Sequence, residues 1–114
     1  MNYAALDFAL QPWAQRHGLY IVTQSHYETE VRAITIVDDS GDSYGMNLSP
    51  PDAEGQISVT VHAAYVGRPP RFAGGEQKHL FRCSVSQLPE TLEAAYSLAE
   101  TWIHERGHTR TPVI

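Results

Sequence analysis

Apolar residues recur at three- and four-residue spacing near each end of the chain, which predicts two amphipathic helices. One helix is predicted over residues 88–107, with Pro89 in its first turn and Gly107 at its end. Its apolar stripe contains Leu88, Leu92, Ala95, Ala99, Trp102 and Ile103. The other is predicted over residues 3–17, with a stripe of Tyr3, Leu6, Leu10, Trp13 and Ala14. Pro12 interrupts this N-terminal pattern, so the helix either kinks there or is followed by a second short helix that begins at Pro12.

Between these segments the hydrophobic period changes to two, which predicts strands. Strands are predicted over residues 19–24, 31–37, 44–48, 57–66 and 80–85. The acidic segment 38–42 is typical of a hairpin turn. Residues 67–79 contain paired prolines and paired glycines, and they are predicted to form a long connection. The seven residues after Gly107 are predicted to be loosely held.

The order of these elements predicts an α+β fold. Short connections favour antiparallel pairing, because parallel neighbours need longer crossovers. We therefore expect a two-layer domain over residues 1–114, in which an antiparallel sheet of about five strands carries the N-terminal and the C-terminal helix on one face. The same layered architecture occurs in secretion chaperones and in immunity proteins that neutralise toxins, an analogy of fold alone.

The sheet face opposite the helices is predicted to be polar. In the strand 57–66, Thr60 and His62 alternate with the apolar row and point away from it. Arg82 has the same orientation in the strand 80–85. If these two strands are neighbours, His62 and Arg82 could form a pair that recognises an anion. Thr60, His62 and Arg82 are therefore candidate binding residues, although a merely solvated face has the same pattern.

Basic residues are concentrated around the long connection. Four of the eight Lys and Arg residues lie within one stretch of fifteen, namely Arg68, Arg71, Lys78 and Arg82. Phe72 follows Arg71 in this stretch, and an aromatic residue beside an arginine can anchor a protein contact. Arg68, Arg71 and Phe72 are candidate binding residues, and a solvated loop is the alternative.

Composition narrows the classes of partner and the compartment. The net charge of −5 disfavours general nucleic-acid binding, which depends on neutralising phosphates. No apolar run approaches the length of a membrane span, and no Lys or Arg precedes the first apolar stretch as in a signal peptide. The single cysteine, Cys83, cannot form an internal disulfide, which favours a reducing compartment such as the cytoplasm.

One segment, residues 104–108, has the letters of a zinc-peptidase motif. His104, Glu105 and His108 match H-E-x-x-H, in which two imidazoles on one helix face bind zinc and the glutamate activates water. Gly107 lies inside the motif, where it tends to end the helix before the second histidine. Only six residues follow, so the downstream ligand of common zinc peptidases is absent. A charged helix end is the favoured interpretation.

These patterns favour a non-catalytic protein that binds another protein or itself, with a homodimer as one form. No cofactor, no nucleic acid and no membrane partner is expected. Cys83 lies in an inward row and lacks the electropositive surroundings of a nucleophile. Two alternatives stay open: a zinc-dependent hydrolase that uses His104 and His108, and a binder of small anions on the His62/Arg82 face.

Overall fold

A computed structural model of the protein describes residues 3–24, 30–64, 76–105 and 107–111. In the sequence, two long helices flank five strands of the sheet. The elements, in order, are α1 (Ala4–Arg16), β1 (Ile21–Gln24), β2 (Glu30–Asp38), β3 (Ser43–Leu48), β4 (Gln56–Ala64), β5 (Glu76–Ser84), a 3-10 turn (Val85–Gln87), α2 (Leu88–Glu105) and β6 (Arg110–Thr111).

Strands β1 to β5 form one antiparallel sheet in chain order. The short strand β6 pairs with the end of β2, where Val37 lies opposite Thr111. Because Val37 also pairs with Ser43 of β3, β6 must lie on the side of β2 that β1 occupies. Both helices lie on one face, so the predicted two-layer α+β fold is confirmed.

The core forms where the stripe of α2 covers the inward row of the sheet. The inward residues of β4 are almost inaccessible to solvent: Ile57, Val59, Val61 and Ala63. The predicted stripe of α2 is buried at every position, and α2 lies mainly against β4 and β5. Burying one large aliphatic side chain stabilises the fold by about 1.5–3 kcal/mol relative to leaving it exposed. This contact therefore supplies a large share of the folding free energy.

Helix α1 is continuous through Pro12, so the chain does not start a new helix there. Pro12 lacks the N–H that would bond to the carbonyl four residues earlier, which belongs to Phe8. Both residues are exposed, and Phe8 keeps 88% of its accessible surface, so water can bind this carbonyl. The predicted stripe of α1 is nevertheless fully buried in the core.

A buried ion pair joins α1 to the sheet. Arg32 lies on the inward face of β2 and keeps only 8% of its accessible surface. Its guanidinium donates to both carboxylate oxygens of Asp7, at 2.6 Å and 2.8 Å, and lies 4.4 Å from the centre of the Tyr3 ring. This pair was not predicted, because the residues around Arg32 in the sequence do not indicate a partner 25 positions away.

A second polar contact joins the two helices. One carboxylate oxygen of Glu93 accepts a hydrogen bond from the Trp13 indole at 2.8 Å and lies 2.6 Å from Nε2 of His17. The hydrogen bonds from His17 and then Trp13 lower the pKa of Glu93 below its ordinary value of 4.5. The Tyr96 ring packs against both aromatic partners, and Arg110 donates to the His17 carbonyl at 2.6 Å.

The predicted turn at residues 38–42 is a hairpin turn, and the side chain of its first residue, Asp38, is hydrogen-bonded to the backbone of the turn. Asp38 accepts hydrogen bonds from the backbone N–H groups of Ser40 and Asp42 and from the Tyr44 hydroxyl. Burial alone would raise the pKa of Asp38, but these hydrogen bonds outweigh it and lower the pKa. Gly41 in this turn has φ of +92°, a conformation that favours glycine.

Two predictions of secondary structure were wrong. β5 begins at Glu76 rather than Leu80, so residues 76–79 belong to the strand and not to the long connection. Their polar sequence shows no alternation, and pairing with residues 61–64 determines their conformation. The segment after Gly107 was predicted to be loosely held, but Arg110–Thr111 forms the strand β6. The other described helix and strand ends agree with prediction to within two residues.

We expect removal of the Asp7 carboxylate to destabilise the fold. Asp7→Ala removes the carboxylate that accepts two hydrogen bonds from the largely buried Arg32 guanidinium, which should lower the free energy of unfolding by about 2–3 kcal/mol. Urea denaturation followed by circular dichroism measures this change. Glu54→Ala, at an exposed loop position, is the control and should change stability by less than about 0.5 kcal/mol. Equal effects of both substitutions would contradict a structural role for the ion pair.

Glu93→Gln should destabilise the protein in a way that depends on pH. Because folding lowers the pKa of Glu93, its ionised form contributes stability above the ordinary value of 4.5, and this contribution is lost as pH falls through the lower folded value. The difference in unfolding free energy between wild type and Glu93→Gln should therefore be largest near neutral pH and shrink in acid. Urea titrations across that range measure it, with the exposed Glu105→Gln as control. A constant difference would contradict the assignment.

Candidate functional site

The sheet face that the helices leave uncovered carries the outward rows of all five long strands. In β4 this row contains Ser58, Thr60 and His62, which are partly exposed between fully buried neighbours. The register places Lys78, Leu80 and Arg82 of β5 beside them and Asn47 and Gly45 of β3 on their other side. We call this surface the open face, because no element in the described part of the chain packs on it.

A shallow hollow lies near the middle of the open face. It is lined by Asn47, Thr60, His62 and Lys78. The register explains this grouping: Asn47 lies opposite Thr60 across β3 and β4, and His62 lies opposite Lys78 across β4 and β5. The side-chain amide nitrogen of Asn47 lies 3.2 Å from Nε2 of His62. Three neighbouring strands thus bring four polar side chains to one place.

Gly45 creates the space that His62 occupies. The two residues lie opposite each other across β3 and β4. A Cβ atom built on Gly45 would lie 2.4 Å from Nε2 and 2.6 Å from Cε1 of the His62 ring. Such distances are far below van der Waals contact, so the imidazole lies directly on the glycine backbone. The imidazole can lie in this position only because Gly45 has no side chain.

Arg82 shares the open face with His62 but does not lie beside it. The two strands are adjacent, as the proposed pair requires, yet Arg82 lies opposite Ser58, four residues from the His62 position. Its guanidinium donates to Asp52 at 3.0 Å. The backbone N–H groups of Gln56 and then Glu54 hold the pKa of Asp52 below its ordinary range, and Arg82 adds to this effect. Lys78, which was assigned to a loop, is the cation opposite His62.

Three predicted binding residues lie outside the described residues. These are Arg68, Arg71 and Phe72. The segment that contains them connects the end of β4 to the start of β5. β4 ends two residues after His62, and β5 begins two residues before Lys78.

The H-E-x-x-H match lies at a helix end and not along one helix face. α2 ends at Glu105, and Gly107 has φ of +78°. The N–H groups of Gly107 and His108 bond back to the carbonyls of His104 and Ile103, at 2.9 Å and 3.1 Å, which is the geometry of a Schellman motif. His108 lies beyond the helix, and its Nδ1 is 2.8 Å from Asp39. The two imidazoles do not have the i, i+4 placement that the peptidase motif requires.

Other groups with potential chemistry are dispersed. Within residues 3–24, 30–64, 76–105 and 107–111, no group of three or more His, Cys, Asp or Glu residues has a geometry that could hold a metal ion. Cys83 is buried, with 3% of its surface accessible, as its inward position predicts. No helix in these residues combines the length and hydrophobicity that crossing a membrane would need.

Sequence reasoning found two of the four residues that line the hollow among its binding candidates, Thr60 and His62. It missed Lys78 because the polar residues before Leu80 gave no strand signal. It gave no role to Gly45, although an isolated glycine inside a predicted strand often marks a close approach. That signal would have pointed to the open face.

Comparisons with protein-family models, with curated proteins and with solved structures found no match to this chain. The site is therefore interpreted from its own geometry.

Gly45→Ala should displace the His62 ring and disrupt its contact with Asn47. The new Cβ cannot coexist with the ring as placed, and the ring is the free end of a side chain, so the ring should move at a modest stability cost of about 1 kcal/mol. NMR of the imidazole signals measures the displacement, and urea denaturation measures the cost. Shortening the histidine in Gly45→Ala/His62→Ser should remove most of this cost. Unchanged His62 signals in Gly45→Ala would contradict the arrangement.

Proposed function

We propose that this protein is a non-catalytic protein-binding module of the cytoplasm, which uses the open face of its sheet to bind an acidic surface of a partner protein. The observation that carries the proposal is the composition of this face. At its centre the hollow is lined by Asn47, Thr60, His62 and Lys78, one cation and three polar side chains with no Asp or Glu among them. Glu76 occupies the outward row of β5 two residues before Lys78, so in this chain of net charge −5 the lack of acidic residues is a property of the hollow and not of the whole open face.

Apolar surface on the same face supports a protein partner. Leu80 lies between Lys78 and Arg82 in the outward row of β5, and 54% of its surface is accessible. Val22 of β1, at the opposite edge of the sheet, keeps 44%. Protein interfaces combine apolar contact with polar and charged groups at their rim. A surface with exposed apolar side chains among cations fits a protein more closely than a purely ionic ligand.

The contacts of His62 support binding rather than nucleophilic catalysis. A histidine that activates a hydroxyl or thiol lies within hydrogen-bond reach of it. Within the described residues, the side-chain hydrogen-bond partner of His62 is the amide of Asn47. The cysteine is on the opposite, buried face. The Thr60 hydroxyl lines the same hollow, but the imidazole is hydrogen-bonded to the Asn47 amide and not to this hydroxyl.

The open face should lose its partner when Leu80, its exposed apolar residue in β5, is replaced by an acid. Leu80→Glu removes apolar contact and adds a negative charge beside Lys78, so it should weaken partner capture from the native cell extract more than tenfold. The matched control is Phe8→Glu, which alters an exposed apolar residue of α1 in the helix layer and should leave capture unchanged. Quantitative mass spectrometry of the captured proteins measures both.

Two results would contradict the proposal. One is a protein that captures nothing specific and is strictly monomeric by light scattering. The other is loss of capture with Phe8→Glu while Leu80→Glu binds normally, because the binding surface would then be on the helix layer. A homodimer that Leu80→Glu dissociates would identify a second copy as the partner on the open face, rather than a different acidic protein.

A further inference from the structure

We propose that the hollow lined by Asn47, Thr60, His62 and Lys78 is a subsite for one carboxylate group of an acidic protein segment. This inference rests on the proposed function, since it names the chemical group that the open face recognises. The hollow is only part of the open face, so an experiment can contradict the carboxylate subsite while the proposed function still holds.

The side chains around the hollow are rich in hydrogen-bond donors. Lys78 offers an ammonium group with three donors and no acceptor, Asn47 offers its amide, and Thr60 offers a hydroxyl. The amide nitrogen of Asn47 can only donate, so the contact with Nε2 makes that ring nitrogen an acceptor. The proton of neutral His62 then lies on Nδ1, which is a further donor. A ligand that completes this set must supply acceptors.

The local charge makes an anionic acceptor the best match. Glu76 precedes Lys78 by two residues in the outward row of β5, but no acidic residue lines the hollow, and Lys78 forms no ion pair with another described residue. Arg82, the other cation of the row, is already paired with Asp52. The positive charge available to a ligand is therefore that of Lys78. Hydrogen bonds between an ammonium and a carboxylate are roughly twice as strong as neutral ones.

The size of the hollow suits a single small group. Its side chains come from three adjacent strands, and neighbouring strands lie about 4.8 Å apart, so the backbone positions that carry the donors span roughly 10 Å. Sites for phosphate commonly use a bidentate arginine or a helix N-terminus, and neither lines this hollow. Leu80, which lies opposite Thr60, supplies apolar surface for the methylene groups of an acidic side chain.

The test is a titration of the full chain with acetyl-tetraglutamate amide, followed by two-dimensional amide NMR. Acetyl-tetraglutamine amide is the uncharged control ligand, and inorganic phosphate is the competing anion. We expect saturable shifts centred on the four lining residues with the glutamate peptide and none with the glutamine peptide. Lys78→Gln should weaken this binding about tenfold, as expected for loss of a charge-assisted contact. Arg16→Gln, which removes one positive charge from α1, should change it less than twofold.

Several results would overturn the inference. Equal weakening by Lys78→Gln and Arg16→Gln would show general electrostatic attraction, and equal shifts with the glutamine peptide would show that charge is irrelevant. Tighter binding of phosphate than of the peptide would assign the hollow to a different anion. If Leu80→Glu abolishes partner capture while Lys78→Gln retains it fully, the proposed function stands and the carboxylate subsite fails. Amide spectra of each variant establish that the fold is intact.

Discussion

The packing of the α2 stripe on the inward row of β4 is the contact on which the rest of the structure depends. Leu92, Ala99, Val59 and Val61 have no accessible surface there. Because side chains alternate along a strand, burial of one row determines which residues form the other. A register slip of one residue would expose the valines and bury His62, so the core holds the strand in the only alignment that presents the polar row. The register of β4 therefore determines both which side chains form the core and which side chains form the candidate site.

Much of this arrangement could be predicted from the sequence because it depends on local periodicity. Both helices, the inward row of β4 and the polar character of its outward row follow from spacing alone. Features that depend on distant partners could not be predicted. The first residues of β5 are strand because they pair with β4, and Arg32 is buried because Asp7, 25 positions earlier, neutralises it. For the same reason the cation opposite His62 was expected to be Arg82, whereas the register places Lys78 there.

The distribution of charge explains how an acidic chain can leave one lysine available to an anion. α2 carries Glu90, Glu93, Glu100 and Glu105 and no Lys or Arg. Layers in a packed domain are separated by about 10 Å, which exceeds the Debye length of about 8 Å at physiological ionic strength. Charges on the solvent side of the helix layer are therefore weakened by salt at the open face, where Lys78 is the cation beside the hollow. The net charge still matters at longer range, since it opposes the approach of polyanions such as nucleic acids.

Gly45 is the residue that folding alone explains least. A glycine inside a strand loses more conformational entropy than other residues and offers no side chain for packing, which costs roughly 0.5–1 kcal/mol relative to alanine. Its φ is not in the left-handed region, so no turn requires it, and it lies in β3 between two paired strands. What requires it is the imidazole of His62, which occupies the space of the missing Cβ. Core packing does not explain this glycine, because Gly45 and His62 both lie on the outward face. A stability cost in the middle of the sheet that serves only to position a histidine is expected where the histidine has a function, which favours His62 as part of the binding that we propose for the open face.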